Sequence, residues 1–513
     1  MDNYFVSSCK RVKDWICRQF GQKEKKTVHH KKLADGGEVI VWETGRAGEE
    51  AASYENLFLR KEIVGFRTNI RREQSCSIKS LTRDYLYKQL LSSGEYTFDH
   101  MLVIKDPYGE APLTALALFI LEEPACVRVT TKGNLKETDF VTELPKKKEH
   151  RVPILGMYAE KANDIVIEIL DDEGNCVKSH TFTIRTKRLP KSLRNVITVK
   201  KWTDKPAYSN IMINGGVKIH TCVFDIEGQI RYYLSRKPRG YGIFPLSDGH
   251  FFYMEKYISV PSYSNPQTVE SYDMDYFGRV FRTYLTEKGV HHTAEEKAGG
   301  NILTGSNSML EHTEDCVIEI DRQTGEIVWQ LNMAEIFDET YQNMMDWCHV
   351  NSAAYYEKDR TILISLRNVH AVICVDYDTK KLRWILSDPK FWEGTKMTPY
   401  LLQPEGDVKW CYQQHAAFEI ALPDESNPQK KRIIVYDNHW AKRRKAKSFD
   451  KDPLSYVSFY DIDEEKKTVS LHKRFAGPKT RIRANGIYVP DKKRVYNMAG
   501  SYAEPVDGDG GGI

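Results

Sequence analysis

Three histidines, an asparagine and an arginine lie in four polar segments from mid-chain onward. The segments are 248–252, 346–352, 365–368 and 413–417, and they carry His250, His349, Asn351, Arg367 and His415. A neutral imidazole is a nucleophile and a base near pH 7, and the planar guanidinium group of arginine matches a pair of sulfate or phosphate oxygens. These residue types can therefore hold a sulfuryl or phosphoryl group and attack it, provided that the fold brings them together.

The spacing of His349 and Asn351 places both side chains on one face of a strand, because successive side chains alternate. A single histidine is more often a hydrogen-bonded core residue or a surface residue, so the hypothesis depends on the whole group. Metal binding is the competing interpretation of a histidine cluster. Arg367 and the lack of a consistent carboxylate ligand argue against it, so we predict that the protein holds no metal.

A loose repeat after about residue 195 can bring these segments together. Each copy reads as a strand, a polar turn and a second strand, and the copies lie at 222–233, 272–281, 317–329, 372–384 and 457–469. The first four are spaced by about 50 residues, and a four-stranded propeller blade takes roughly 40 to 50. With a last copy at 486–500 and strands near 200–220, the pattern predicts a six-bladed β-propeller; a plain series of β-meanders is the alternative.

The sequence before the repeat indicates two further parts. Turn residues separate short strand-like runs at 101–105, 115–121, 126–131, 165–170 and 181–186, and these runs predict a small β-sandwich over 96–190. Residues 1–95 read as an N-terminal extension that is partly helical, with helices at 3–20 and 81–91 and a charged linker at 21–32. The predicted fold class is therefore all-β, with the propeller over 195–513.

Composition narrows the function classes. The chain of 513 residues carries 75 basic and 71 acidic side chains, a balance that gives no argument for nucleic acid. No run reaches the ~18 apolar residues of a membrane span, so we expect no membrane partner. The start of the chain lacks the apolar run of a signal peptide, and the ten cysteines form no C-x-x-C pair. We therefore expect a cytoplasmic protein with reduced cysteines, and export is the alternative.

Several motifs in a fixed order resemble the bacterial aryl-sulfate sulfotransferase family, the type that does not use an adenylylated sulfate donor. The resemblance runs from about residue 97 to 505. Its motifs are DPYGEAPLTA at 106–115, VPILGMY at 152–158, DGH at 248–250, DWCHVNS at 346–352, SLRN at 365–368, WILSDP at 384–389, QH at 414–415 and YDN at 436–438.

The resemblance implies a six-bladed propeller with an N-terminal β-sandwich, a homodimer, and transfer of a sulfuryl group from an aryl sulfate donor to a phenolic acceptor through a sulfated histidine, with ping-pong kinetics and no cofactor. It implies that His415 is the nucleophile and that His349, Asn351 and Arg367 bind the sulfuryl group. His250 matches a further family histidine, with His292 as the alternative, and Thr480 matches a threonine that lines the pocket.

The sequence departs from the family pattern near the nucleophile and at its start. Cys411 has no nearby partner for the disulfide found beside the nucleophile in exported members, and residues 1–95 have no clear counterpart. Two rival functions stay open on the sequence alone. A non-catalytic propeller that binds a ligand or a protein predicts that the histidines do not converge, and a quinone- or metal-dependent oxidoreductase requires channel carboxylates and a stacking tryptophan that we do not find in the sequence.

Overall fold

The structure is a computed structural model that describes residues 28–43, 45–46, 50, 75–200, 206, 208–213, 220–236, 242–258, 267–308, 312–342, 344–422, 427–440, 454–482 and 484–500. These residues are nearly all β, as predicted. The chain divides into two compact units. The first comprises Met1–Leu189 and Gln229–Ser235, and the second comprises Pro190–Gly228 and Arg236–Ile513.

The α-helix α1 spans Ser75–Ser92. The strands are β1 Val28–Lys32, β2 Glu38–Trp42, β3 His100–Lys105, β4 Ala115–Thr131, β5 Phe140–Ile154, β6 Ala162–Leu170, β7 Cys176–Arg185, β8 Asn210–Ile213, β9 Cys222–Asp225, β10 Ile230–Tyr233, β11 Gly242–Pro245, β12 Phe251–Ile258, β13 Gln267–Met274, β14 Val280–Glu296, β15 Ile302–Ser306, β16 Cys316–Ile320, β17 Ile327–Asn332, β18 Val350–Tyr356, β19 Thr361–Leu366, β20 Ala371–Asp376, β21 Leu382–Leu386, β22 Gln403–Pro404, β23 His415–Ile420, β24 Lys430–Asp437, β25 Leu454–Asp463, β26 Thr468–Pro478, β27 Asn485–Val489 and β28 Arg494–Met498. Short 3₁₀ turns lie at Lys136–Thr138, Lys191–Leu193, Met333–Glu335, Glu339–Tyr341, Arg367–Val369, Pro389–Phe391, Thr398–Tyr400 and Pro490–Lys492.

The first unit is built around one seven-stranded sheet in the order β1-β2-β3-β4-β6-β7, with β5 paired to β4. The apolar run Met101, Leu102, Val103 and Ile104 of β3 is completely buried, which explains why it forms an interior strand. The predicted strand at 101–105 and the helix at 81–91 are confirmed. The predicted strands at 115–121 and 126–131 are parts of one long strand, β4.

In the first unit the strands β1 to β7 join in one hydrogen-bonded sheet, and the predicted sandwich stays a prediction. Residues 28–42, assigned to the extension and its linker, form β1 and β2, and β2 pairs in parallel with β3. The helix predicted at 3–20 lies outside the described residues.

The second unit repeats four-stranded antiparallel sheets. Strand β14 is long enough to belong to two of these sheets, because residues 280–285 pair with β13 and residues 290–296 pair with β15. The sheets are therefore β11 to β14, β14 to β17, β18 to β21, and β23 to β26 with β22 at its edge; β8–β9 and β27–β28 are shorter pairs.

Aspartates close the hairpins of this repeat, as the polar turns of the sequence predicted. Asp275 accepts hydrogen bonds from the backbone N–H groups of Phe277 and Arg279. Asp321 and Asp376 accept from backbone N–H groups of their own turns in the same way. A side chain that bonds its own backbone two or three residues on stabilises a tight turn. The hairpins at 272–281, 317–329, 372–384 and 457–469 are confirmed.

The sheet β18 to β21 is buried on both faces. Ile362, Ile364 and Ile373 pack on one side with residues of β15 to β17, such as Leu303. Leu363, Val372 and Trp384 pack on the other side with residues of β23 to β26, such as Ile433. Alternate residues thus contact the sheets before and after, and this packing places the start of β18 beside the start of β23.

The free thiols include Cys126 and Cys176 of the first unit and Cys222, Cys316, Cys348, Cys374 and Cys411 of the second, and these last five are buried. Within the same part of the chain, no helix has the length and apolar character needed to cross a membrane.

Candidate active site

His349 precedes β18 and is held by carboxylates. Its Nδ1 lies 2.5 Å from Oε2 of Glu314 and 3.0 Å from both carboxylate oxygens of Asp346. The backbone of His349 is in the left-handed region, with φ of 58°, and its carbonyl accepts a hydrogen bond from the N–H of Arg367. A non-glycine residue in this region costs on the order of 1–3 kcal/mol, a strain that often marks functional sites.

His415 begins β23, and Asn438 fixes its ring. Nδ1 of His415 lies 2.6 Å from Oδ1 of Asn438, which follows β24. The amide of Asn438 is oriented in turn, because its Nδ2 donates to Oγ1 of Thr480 at 2.9 Å. A carboxamide oxygen accepts only, so Nδ1 of His415 carries the proton and a neutral ring has its lone pair on Nε2.

Gln414 anchors the backbone beside His415. Its Nε2 donates to the carbonyls of Leu366 and Ala371 and to Oγ of Ser365. The side chain is completely buried, so these bonds fix the start of β23 against the neighbouring sheet. The N–H of Ala417 donates to Oγ of Ser352 and adds a further tie.

Arg367 and Asn351 border the same place. Arg367 begins the 3₁₀ turn after β19, and its Nη2 donates to Oε1 of Gln413 at 3.2 Å. Asn351 lies in β18, and its Nδ2 donates to the carbonyl of Gln414 at 2.7 Å. Both side chains therefore contact the segment that leads into His415. Oδ1 of Asn351 is buried without a hydrogen-bond partner in the described part of the chain.

His292 is the third histidine of this group. Its ring packs edge-to-face on that of His349, with centroids 4.8 Å apart. Nδ1 of His292 lies 3.2 Å from Nδ1 of His291, and Nε2 of His291 lies 2.8 Å from the carbonyl oxygen of Ser306. The carbonyl oxygen of Ser306 can only accept, so Nε2 of a neutral His291 carries the proton and its Nδ1 accepts a hydrogen bond from Nδ1 of His292. A neutral His292 therefore has its lone pair on Nε2.

His250 contacts a different set of residues. It lies in the hairpin turn between β11 and β12, where its Nδ1 is 2.6 Å from Oδ1 of Asp273 and 3.2 Å from Nη2 of Arg322. Its ring stacks on Phe281 with centroids 4.0 Å apart. Arg322 also binds Glu296 at the far end of β14, four residues beyond His292 or about 13 Å along a strand. The contacts of His250 are therefore those of an ion-pair network, whereas the ring of His292 contacts that of His349. Which of the two is the further site histidine stays a prediction.

Thr480 is completely buried and lies behind Asn438. Besides Asn438, its Oγ1 lies 3.4 Å from the hydroxyl groups of Tyr436 and Ser455. Thr480 is predicted from the sequence to line the substrate pocket, and that role stays a prediction. Its hydrogen bond to Asn438 supports the partner of His415.

The charges around His415 and His349 push their pKa values apart. Burial lowers the pKa of His415 to about 3, and the positive charges of Arg367 and His349 act in the same direction against the hydrogen bond to Asn438. Burial also acts to lower the pKa of His349, but Glu314 and Asp346 outweigh it and raise the pKa to about 9. Burial holds the pKa of His292 well below its usual value. At pH 7, His415 and His292 are therefore neutral and His349 is a cation.

Glu314, His292 and His349 come nearest to a metal-binding set among the described residues, with one ligand-type atom from each within 4.8 Å of the others. Nδ1 of His349 takes part in hydrogen bonds with Asp346, and Nδ1 of His292 takes part in one with His291. Glu314 and His349 form an ion pair, with Oε2 2.5 Å from Nδ1. We therefore describe these residues as a cluster whose side chains contact one another directly.

Three residues of this site have no role in the sequence analysis. Asp346 and Asn438 lie inside the motifs DWCHVNS and YDN, so the motifs pointed to them without showing what they contact. Glu314 lies in no motif, because its contact with His349 depends on pairing between segments that are far apart in sequence. The N–H of Val350 donates to the carbonyl of Glu314 and brings the two together.

Residues 195–504 match the family described as arylsulfotransferase (ASST). The chain belongs to the arylsulfotransferase family. Residues 102–187 match the Ig-like domain of the same family. The family resemblance and the enzyme class predicted from the sequence, an aryl sulfotransferase independent of an adenylylated donor, are confirmed.

Two curated relatives in the arylsulfotransferase family are proteins named arylsulfate sulfotransferase AssT. One is from Lelliottia amnigena and the other from Escherichia coli O6:H1, and each is 22% identical over 72% of this chain and 78% of the relative. A solved structure of an auxiliary nutrient binding protein from Bacteroides thetaiotaomicron is 12% identical and covers 75% of this chain and 91% of its own, with a TM-score of 0.35. That score is too low to support an inference.

Proposed function

We propose that this protein moves a sulfuryl group from a phenolic sulfate ester to a phenol through a covalent intermediate on His415. The observation that carries the proposal is the state of His415. The ring is buried, its Nδ1 donates to Asn438, and its low pKa leaves the Nε2 lone pair available at neutral pH. A neutral imidazole is a good nucleophile, and an N-sulfonate is a reactive donor.

In the first half-reaction, Nε2 of His415 attacks the sulfur atom while the bond from sulfur to the aryl oxygen breaks. The electron pair leaves with the phenolate, which takes a proton from solvent if its pKa requires one. Arg367, Asn351 and the cationic His349 supply N–H donors to the sulfuryl oxygens. Fixed donors of this kind act where charge develops, and removal of one typically costs on the order of 10²–10³ in rate.

In the second half-reaction, the oxygen of an acceptor phenol attacks sulfur and the N–S bond breaks. The electron pair returns to Nε2 of His415. The proton of the phenol passes to Nε2 of His292, which is neutral and has its lone pair there. His292 then releases this proton to solvent, and the enzyme regains its starting state.

The wider architecture that we propose is a six-bladed β-propeller in a homodimer. The repeated four-stranded antiparallel sheets of the second unit, each packed against the next, support a propeller. The starts of β18 and β23 then face a common channel, as the contacts of Asn351 with Gln414 suggest. The homodimer rests on the family resemblance.

A non-catalytic ligand-binding role is the second candidate function, and initial rates separate the two. Release of 4-nitrophenol from its sulfate ester is followed at several concentrations of a second phenol. A covalent intermediate gives parallel double-reciprocal lines, because the first phenol leaves before the second attacks. Intersecting lines would contradict the intermediate, and no turnover with any phenol pair would favour the binding role.

A further inference from the structure

Glu314 has a buried carboxylate that contacts two histidines of the site. Its side chain is completely buried, with Oε2 2.5 Å from Nδ1 of His349 and Oε1 3.7 Å from Nδ1 of His292. Burial of a carboxylate is costly unless the group is paired. The mechanism above uses the two histidines but gives the carboxylate no task.

The backbone of Glu314 is fixed in an unusual conformation. Its φ is 57°, in the left-handed region. Its N–H donates to Oδ1 of Asn307 at 2.7 Å, and its carbonyl accepts from the N–H of Val350 at 2.6 Å. The second bond joins Glu314 directly to the residue after His349. The strained backbone is thus held by contacts that also set the position of the carboxylate relative to His349.

Asp346 supplies a second carboxylate to the same ring nitrogen. Both of its oxygens lie 3.0 Å from Nδ1 of His349, and its carbonyl accepts from Nδ2 of Asn368. Two buried carboxylates beside one imidazole nitrogen favour a positive ring between them. The two nitrogens of an imidazole point to different sides of the ring, so Nε2 is directed away from both carboxylates.

We propose that Glu314 is a positioning residue for sulfuryl transfer, which together with Asp346 holds Nδ1 of His349 so that the ring stays doubly protonated and presents Nε2–H to the sulfuryl oxygens. This inference rests on the proposed function, since it assigns a task within that reaction. It distinguishes His349, a permanent donor, from His415 and His292, whose Nε2 atoms carry lone pairs.

The charges that face His349 set the expected pH dependence. The carboxylates of Glu314 and Asp346 favour the cationic form of His349. The rings of His291, His292 and His415 oppose that form when they are protonated. The pKa of His349 is raised to about 9, so the cation is present at pH 7 and is lost as the pH rises through 9. Removal of Glu314 lowers that pKa, and the loss then occurs at lower pH.

The test measures the pH dependence of kcat/KM for 4-nitrophenyl sulfate between pH 6 and 11 in the wild type, Glu314→Gln and Glu314→Asp. We expect the wild type to lose activity above about pH 9. We expect Glu314→Gln to lose it at least one pH unit lower, so that its activity at pH 8.5, relative to its low-pH plateau, falls at least about threefold below that of the wild type. Glu314→Asp restores part of the shift. Asp315→Asn is the matched control, because Asp315 is a buried neighbour of Glu314 that binds Ser308. This substitution is expected to leave the alkaline limb of the pH profile unchanged.

Three outcomes would overturn the inference: an unchanged alkaline limb in Glu314→Gln, the same shift in Asp315→Asn, or a stoichiometric metal ion that is present in the wild type and lost in the variant. If Glu314→Gln does not fold, Asp346→Asn gives the same measurement with a smaller expected shift. Wild-type turnover keeps the two proposals apart. A wild type that never transfers sulfuryl groups contradicts the proposed function, whereas an active wild type with an indifferent Glu314 contradicts this inference alone.

Discussion

Nδ1 of His415 and Oδ1 of Asn438 lie 2.6 Å apart, and this contact decides which nitrogen of the ring can attack sulfur. Because Thr480 accepts from Nδ2 of Asn438, the amide cannot turn over without losing a buried hydrogen bond. The nucleophile thus has an orienting partner that is neutral. A carboxylate in the same place would favour the imidazolium form, which cannot attack.

The first prediction concerns Asn438. Asn438→Ala removes the acceptor, so the ring of His415 loses its fixed tautomer and kcat falls by on the order of 10² or more, with little change in donor binding. Asn438→Asp raises the pKa of His415, so its activity is lowest at acid pH and rises with pH. Steady-state kinetics from pH 5 to 9 test both, with Asn301→Ala in a hairpin turn as the control. Equal activity of Asn438→Ala and the wild type would remove Asn438 from the site.

The second prediction is the shape of the acid limb. His415 has a pKa of about 3, so it stays neutral as the pH falls from 8 to 5, and its nucleophilic form is lost only near pH 3. The burst of nitrophenol from the first half-reaction, measured by rapid quench, is therefore flat over pH 5–8. A decline with a midpoint near 6.5, the ordinary value for histidine, would contradict the assigned environment of His415.

The third prediction is that Arg367→Lys is not a conservative change. A lysine keeps the charge but loses the planar pair of donors that matches two sulfuryl oxygens. We expect kcat/KM to fall by on the order of 10² with almost no change in melting temperature. Arg432→Lys is the control, since Arg432 makes a two-point contact with Asp461 away from this site. Near-normal turnover of Arg367→Lys would make Arg367 a structural residue.

The fourth prediction separates His292 from His250. His292→Ala slows transfer from the sulfated enzyme to a phenol because the proton acceptor is lost. His250→Ala leaves both half-reactions near normal and lowers the melting temperature, because the contacts with Asp273 and Phe281 are lost. Single-turnover rates and thermal unfolding measure the two effects. A slow second half-reaction in His250→Ala would return His250 to the site.

The sequence predicted the β class and the hairpins of the second unit because aspartate turns and alternating strands are local signals. The hairpins around Asp275, Asp321 and Asp376 are examples, since each carboxylate bonds its own turn. The strands β1 and β2 escaped prediction because β2 pairs with β3, far along the chain, and β1 pairs with β2. The predicted cytoplasmic location and the domain bounds stay predictions.

The residues of the candidate site could be predicted from the sequence when they lie in a motif at the end of a strand. His349, Asn351, Arg367 and His415 lie in such places, and their side chains border one region. The sequence left open whether His250 or His292 is the further histidine, because both adjoin strands and spacing along the chain does not say which end of a strand a turn occupies. Asn438 and Glu314 act through contacts across sheets, which only the folded chain specifies.

The central claim is that His415 carries the sulfuryl group, and mapping the modified residue tests it most directly. The protein is mixed with excess 4-nitrophenyl sulfate without an acceptor, quenched in alkali to preserve the N–S bond, digested and analysed by peptide mass spectrometry. We predict one added sulfuryl group on His415, removed by a later addition of phenol and absent in His415→Ala. A sulfuryl group on another residue, or full turnover in His415→Ala, would contradict the account.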